Sequence, residues 1–220
     1  MDINITSNVK SLQRGLSKIE KRQIPFAIAK TLQSLAFEGM TESKRQAKRV
    51  LDRPTPYTLK GFMYKPRKAN KKTLESMVYI ADAANSRKYM KYAIEGGVAS
   101  KPGKSLPHPT ANTRLNKYGN INRNLVKKAI SGSEYVTSKT TGKRYKKYFI
   151  GTPKGRSGDD SSGIWERYGR NNKIKMVVKW RKSRKYQAKL PFYDITRKIV
   201  ARRTSAIFNE EFTKAMRTAR

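Results

Sequence analysis

Lysine and arginine are the side chains of this sequence with the most chemistry to offer. They gather as Lys143, Arg144, Lys146 and Lys147, as Lys154 and Arg156, as Lys173, Lys175, Lys179 and Arg181, and as Lys182, Arg184 and Lys185. Clusters of this kind neutralise phosphates and displace condensed counterions, which gives strongly salt-dependent binding with little sequence preference. Between Gly96 and Tyr193, 24 Lys or Arg stand against Glu134, Asp159, Asp160 and Glu166 alone, so this stretch carries +20 of the chain's +36. Tyr118, Tyr135, Tyr145, Tyr148, Tyr168 and Tyr186 are interleaved with the cations. Their rings can stack on exposed bases or serve as core and subunit contacts. Zinc-finger spacing and an aromatic RNA-recognition motif are both missing, so base-specific reading is not expected.

Catalytic apparatus is hard to assemble from the rest. The chain has no cysteine, which removes thiolate metal sites, cysteine nucleophiles and disulfides. Its one histidine, His108, sits between Pro107 and Pro109 and reads as an exposed loop residue without a Ser/His/Asp arrangement. Gly151 to Gly158 is glycine-rich but lacks the Gly-Lys-Ser/Thr ending of a P-loop, and reads as a loop that contacts DNA or a neighbouring subunit. The adjacent Asp159 and Asp160 have no third carboxylate near them in sequence and read as solvent-facing. Glu75, Asp82 and Glu95 are the acids from which a metal-dependent nuclease would have to be built, and three spaced acids are weak grounds for one. No catalytic residue, metal or cofactor is therefore expected.

Several elements must position the basic clusters. Val9, Leu12, Leu16 and Ile19 have helical spacing behind Ser7 and Asn8 as caps. Pro25 interrupts them, and a new helix is expected from about residue 25 to about 50, burying Ile24, Ile28, Leu32, Leu35, Ala36 and Met40. Pro54 and Pro56 make residues 52–59 an ordered connector. Gly61 to Tyr64 and Thr73 to Ala81 read as strands joined by a basic loop, and Ser86 to Ile94 as a short helix ended by Gly96-Gly97. Residues 98–124 look loop-rich. Tyr135 to Thr137 and Lys143 to Ile150 resemble a hairpin around Thr141-Gly142. Lys173 to Arg181 alternates so that Ile174, Met176, Val178 and Trp180 face a core while Lys173, Lys175, Val177, Lys179 and Arg181 face outward. After Pro191, a helix with Ile195, Ile199, Val200, Ile207, Phe208, Phe212 and Met216 presents a stripe that drifts around its axis, which calls for a bend or two-sided packing.

The 12 Tyr, 7 Phe and 2 Trp distinguish the chain from a disordered basic tail, which has too little to bury. No repeat or low-complexity boundary divides it. The expectation is one α+β domain over 1–220: N-terminal helices (1–51), a sheet and loop region (52–191) with a central, mainly antiparallel sheet and long basic loops, and a C-terminal helix (192–220). Neither a secretory signal nor a run of 18 apolar residues occurs, so no membrane partner is expected. A charge of +36 opposes compaction of an isolated monomer and implies polyanionic or acidic partners.

Ile24-Pro25-Phe26-Ala27-Ile28-Ala29-Lys30-Thr31-Leu32 and Asp52-Arg53-Pro54-Thr55-Pro56-Tyr57-Thr58-Leu59 resemble the N-terminal half of phage minor tail proteins of the lambda protein Z type. Glu95-Gly96-Gly97, Arg114-Leu115-Asn116-Lys117-Tyr118-Gly119-Asn120-Ile121 and Gly163-Ile164-Trp165-Glu166-Arg167 extend the likeness. The chain is longer and richer in lysine than that pattern. The resemblance implies a structural, non-enzymatic virion protein of the tail or neck, assembled in the host cytoplasm, that completes the head-proximal end of the tail. It further implies a homo-oligomeric ring, hexameric by analogy, with other tail or connector proteins and the genomic DNA end as partners. Arg53, Pro54, Pro56 and Tyr57 are the expected subunit contacts. The rival expectations are a nucleic-acid-binding protein that works outside any virion, and the nuclease above.

Overall fold

In the computed structural model, residues 2–6, 18–65, 69–81, 89–100, 105–158, 161–169 and 171–218 are described. The fold is α+β, with long helices toward both ends of the chain and antiparallel sheets between them. The chain forms two compact units, a frame of Met1–Gly96 with Gln187–Arg220, and an insert of Gly97–Tyr186. The basic stretch after Gly96 coincides with the insert, but no repeat or low-complexity linker marks its limits, and the sequence therefore reads as one domain.

The frame is built on helix α1 (Lys18–Val50) and the C-terminal helix α5 (Phe192–Arg217). Ile24, Ile28, Leu32 and Leu35 are buried with Ile207, against which Val200, Phe208 and Phe212 also pack. Farther along α1, Ala36, Met40 and Ala47 share a second cluster with Phe192 and Ile195. The two helices thus run antiparallel, and the drifting stripe of α5 serves two successive cores. Gly39 lies where three elements meet: a Cβ there would stand 3.4 Å from Val78 and 3.5 Å from Thr196.

The expected start of this helix at Pro25 is corrected, because α1 already includes Pro25 as an interior residue. An interior proline costs about 3 kcal/mol. The buried stripe that begins at Ile24 offsets this, since tertiary packing rather than local propensity supplies most helix stability. The helix expected around Val9 to Leu16 lies outside the described residues.

A three-stranded antiparallel sheet in the order β1 (Asp2–Thr6), β3 (Glu75–Ile80), β2 (Phe62–Tyr64) completes the frame. The connector contains a single helical turn, α2 (Pro56–Leu59), with Pro56 at its start and the Thr55 hydroxyl accepting from the Thr58 amide. α3 (Tyr89–Glu95) ends at Gly96, whose φ of 72° needs glycine.

The insert opens and closes on one antiparallel pair, β4 (Gly97–Ser100) with β11 (Ser183–Tyr186), in which Gly97 is opposite Tyr186. Entry and exit are therefore neighbours. Its main sheet has the order β5 (Leu106–Pro109), β10 (Lys173–Arg181), β9 (Gly163–Tyr168), β8 (Tyr148–Gly151). Helix α4 (Arg123–Ser131) covers this sheet over Ile164, Val177 and Val178. It is capped by the Asn122 side chain and by Gly132 in the left-handed region. A separate hairpin pairs β6 (Tyr135–Thr137) with β7 (Arg144–Lys146). The single central sheet expected from the sequence is thus divided, and residues 143–150 split at Lys147 between the hairpin and the main sheet.

Candidate nucleic-acid interface

All thirteen basic residues singled out above belong to the insert. Within its 90 positions it has 23 Lys or Arg and four acids. Lys143, Arg144 and Lys146 are exposed on or beside the β6–β7 hairpin, Lys154 and Arg156 in the loop after β8, and Lys182, Arg184 and Lys185 around β11.

The supposed single basic face of β10 is corrected by a β-bulge. Lys175 pairs with Glu166 and Met176 with Trp165, but Val178 then pairs with Ile164, so Val177 is the extra residue. Residues directly opposite in an antiparallel pair share a face. Lys173 and Lys175 therefore lie on the face of Tyr168 and Glu166, whereas Lys179, opposite Gly163, and Arg181 lie on the other. Val177, expected to face outward, is 2% exposed. A bulge leaves ladder groups without their regular partners. Here the Met176 carbonyl accepts from the Thr110 hydroxyl at 2.7 Å and from the Asn112 amide at 3.2 Å, and the Val177 carbonyl accepts from the Thr113 hydroxyl.

The two described acids of the insert are both taken up internally. Glu134 pairs with Lys128 at the end of α4 and with Lys147 at 3.4 Å. Its carboxyl is held below the usual carboxylate range, chiefly by the Lys128 hydrogen bond. Glu166 pairs with Lys175 at 3.2 Å and accepts from the Tyr148 hydroxyl at 3.2 Å. Burial, followed by the Glu166 charge, pushes the Tyr148 phenol up. With only four acids for 23 cations, most of the positive charge has no internal counter-charge to meet one for one.

Each of the six interleaved tyrosines has a cation over its ring. Lys117 lies 5.2 Å from the centre of Tyr118, Arg144 4.4 Å from Tyr135 and Arg167 5.4 Å from Tyr145. Lys147 lies 5.4 Å from Tyr148, Lys175 5.1 Å from Tyr168 and Arg184 5.0 Å from Tyr186. Arg156 lies 4.7 Å over the buried Trp165, and Arg167 4.7 Å over Phe149. Lys117, Lys147 and Arg184 are one or two residues from their rings, whereas the Arg144, Arg167 and Lys175 contacts depend on which strands pair.

Sequence reasoning also missed a polar cleft of about 760 Å³. Its wall brings the hydroxyl residues Ser105, Thr152, Ser162 and Ser183 to Arg181 and Lys182, beside the half-buried Trp180. Arg123 and Lys127, exposed on α4, were passed over with the helix itself. The cap residues Asn122 and Gly132 were the signal that could have found it.

Other candidates are placed differently. His108 is half-buried in β5, with Nδ1–H donating to the Pro109 carbonyl at 2.9 Å, which corrects its reading as an exposed loop residue. Glu75 begins β3 and Glu95 ends α3; Asp82, Asp159 and Asp160 lie outside the described residues. Among the described residues, no group of three or more His, Cys, Asp or Glu could hold a metal ion, and no helix is long and apolar enough to cross a membrane. In the frame, Arg53 has a φ of 44° and donates to Asp52 at 3.0 Å, Pro54 is half-buried, and Pro56 and Tyr57 are exposed. No family model matches the chain, and no curated protein or solved structure matches it.

Proposed function

We propose that the protein acts by binding, without covalent chemistry, and that its insert holds nucleic acid. In this reading the chain is a structural component of a bacteriophage tail or head-tail connection, located in the virion and completing the head-proximal end of the tail. The observation that carries the binding reading is the charge of the insert, 23 cations against four acids in 90 residues. Such a field attracts a polyanion from a distance and holds it by counterion release. The tail location rests on the resemblance of residues 24–32 and 52–59. With it come a homo-oligomeric ring, hexameric by that resemblance, and contacts to other tail or connector proteins through Arg53, Pro54, Pro56 and Tyr57.

Two measurements test the proposal together. Affinity for DNA of arbitrary sequence is expected to fall with log salt at a slope of about −0.9 per phosphate contacted. Purified particles are expected to contain the chain at a fixed copy number. DNA binding with no chain in particles would favour a nucleic-acid-binding protein that works outside the virion. Cleavage of DNA in magnesium or manganese would overturn the non-enzymatic assignment.

A further inference from the structure

We infer that the insert grips nucleic acid by its phosphates and leaves the bases unread, so that single strands and base-free strands of equal charge are bound alike and a duplex, with its denser phosphates, at least as tightly. The inference rests on the nucleic-acid-binding reading and narrows it to one chemistry.

A protein that holds single strands by their bases offers open ring faces on which successive bases stack. Here each such ring already holds a cation on one face, so a base must displace that cation or compete for what is left of the ring. All six tyrosines interleaved with the basic clusters have a lysine or arginine over one face, at 4.4 to 5.4 Å from the ring centre. Tyr148 is further committed, packing beside α4 and donating its hydroxyl to Glu166. Of the remaining large rings, Trp165 is 1% exposed, Phe149 lies under Arg167, and Trp180 is half-buried, packed against the core beneath α4 while also lining the polar cleft.

Two of these contacts also prepare an arginine for phosphate, whereas Lys147 and Lys175 are shared with Glu134 and Glu166. A ring attracts a guanidinium through its π-face and takes no N–H donor from it in the way a carboxylate does. Arg144 over Tyr135 and Arg184 over Tyr186 therefore keep donors for a bidentate phosphate contact. Because the side chain is ordered beforehand, less entropy is lost on binding. A base that displaced the cation would gain a ring and lose the phosphate contact made by that cation.

Fluorescence anisotropy with the full chain provides the test, using a single-stranded DNA, an abasic deoxyribose-phosphate strand with the same number of phosphates, and the corresponding duplex. The expected dissociation constants of the two single strands agree within about threefold, where one productive base stack would contribute about tenfold. Tyr135→Leu and Tyr186→Leu, confirmed as folded by tryptophan fluorescence, are expected to weaken all ligands by the same factor. A single strand bound about tenfold or more tighter than its abasic counterpart, or variants that weaken only the base-bearing ligands, would overturn the inference while the nucleic-acid reading stands. Absence of binding to all three would instead overturn the nucleic-acid reading itself.

Discussion

The frame and the insert carry similar net charge, +17 and +19, and manage it in different ways. In the frame, acids sit one turn from bases or face them across the helix pair. Glu42 meets Arg45 at 2.7 Å, Asp194 meets Arg197 at 3.1 Å, and Glu38 meets Arg203 at 3.3 Å. Exposed pairs like these contribute little stability, and the frame depends instead on two extended apolar clusters. Among its described residues the insert has one buried cluster of four, with Trp165 buried outside it, and its aromatic residues hold cations as well as covering strands. The contrast teaches that one unit is stabilised by what it buries, while the other carries an excess of cations that, in the function proposed above, a polyanion completes.

Both tryptophans, Trp165 and Trp180, lie in the insert, whereas the two long helices lie in the frame. Tryptophan emission and helical circular dichroism therefore follow the two units separately. The sharpest way to break the comparison is Gly163→Ala, whose Cβ would collide with the Val178 carbonyl oxygen across the β9–β10 ladder. A clash with backbone has no side chain to relieve it, and a cost above about 5 kcal/mol is expected. Emission should shift to that of solvated indole while the helical signal persists; loss of both signals would show that the units do not fold separately. Phe192→Ala is the reciprocal test. Phe192 is fully buried, with its ring 6.2 Å from Phe62 and 5.7 Å from Tyr193, so truncation should cost about 3–5 kcal/mol and lower the helical melting midpoint first.

A smaller effect sharpens the comparison from the side of charge. Duplex DNA at a hundred times its dissociation constant should stabilise the insert by about 2.7 kcal/mol, read as a higher midpoint in tryptophan emission with the helical midpoint unmoved. The smallest expected effect concerns pH. Glu134 has its carboxyl lowered in the folded state by Lys128, then by Lys147. Its contribution is therefore complete above the ordinary carboxylate range and is lost as pH falls through the lowered folded value. Glu134→Gln should flatten that acid limb of the tryptophan-detected stability profile, and an unchanged limb would remove Glu134 from it.

Helices that bury one face were legible from sequence because their periodicity is local. Ile24, Ile28, Leu32, Leu35, Ala36 and Met40 are all buried as their spacing required. The hairpin around Thr141-Gly142 was legible from its turn, where Gly142 adopts a φ of 66°. β1, β4 and β5 were passed over because short strands acquire stability from distant partners: Ile3 pairs with Val78, and Trp180 with Pro107. The bulge at Val177 was invisible for a related reason. Alternation assumes an unbroken ladder, and one inserted residue exchanges the faces of everything after it.

By composition alone, the sequence set the excess of positive charge, its concentration after Gly96, the lack of thiol chemistry and the supply of rings among the cations. Those properties are sums over residues and need no fold. The fold alone decided that Lys175 and Lys179 look in opposite directions, that the basic segment closes on itself through β4 and β11, and that Tyr135, Tyr145 and Tyr168 lie under Arg144, Arg167 and Lys175. Each of these depends on which residues far apart in sequence become neighbours, and neighbour choice is settled by burying the whole set of apolar faces at once.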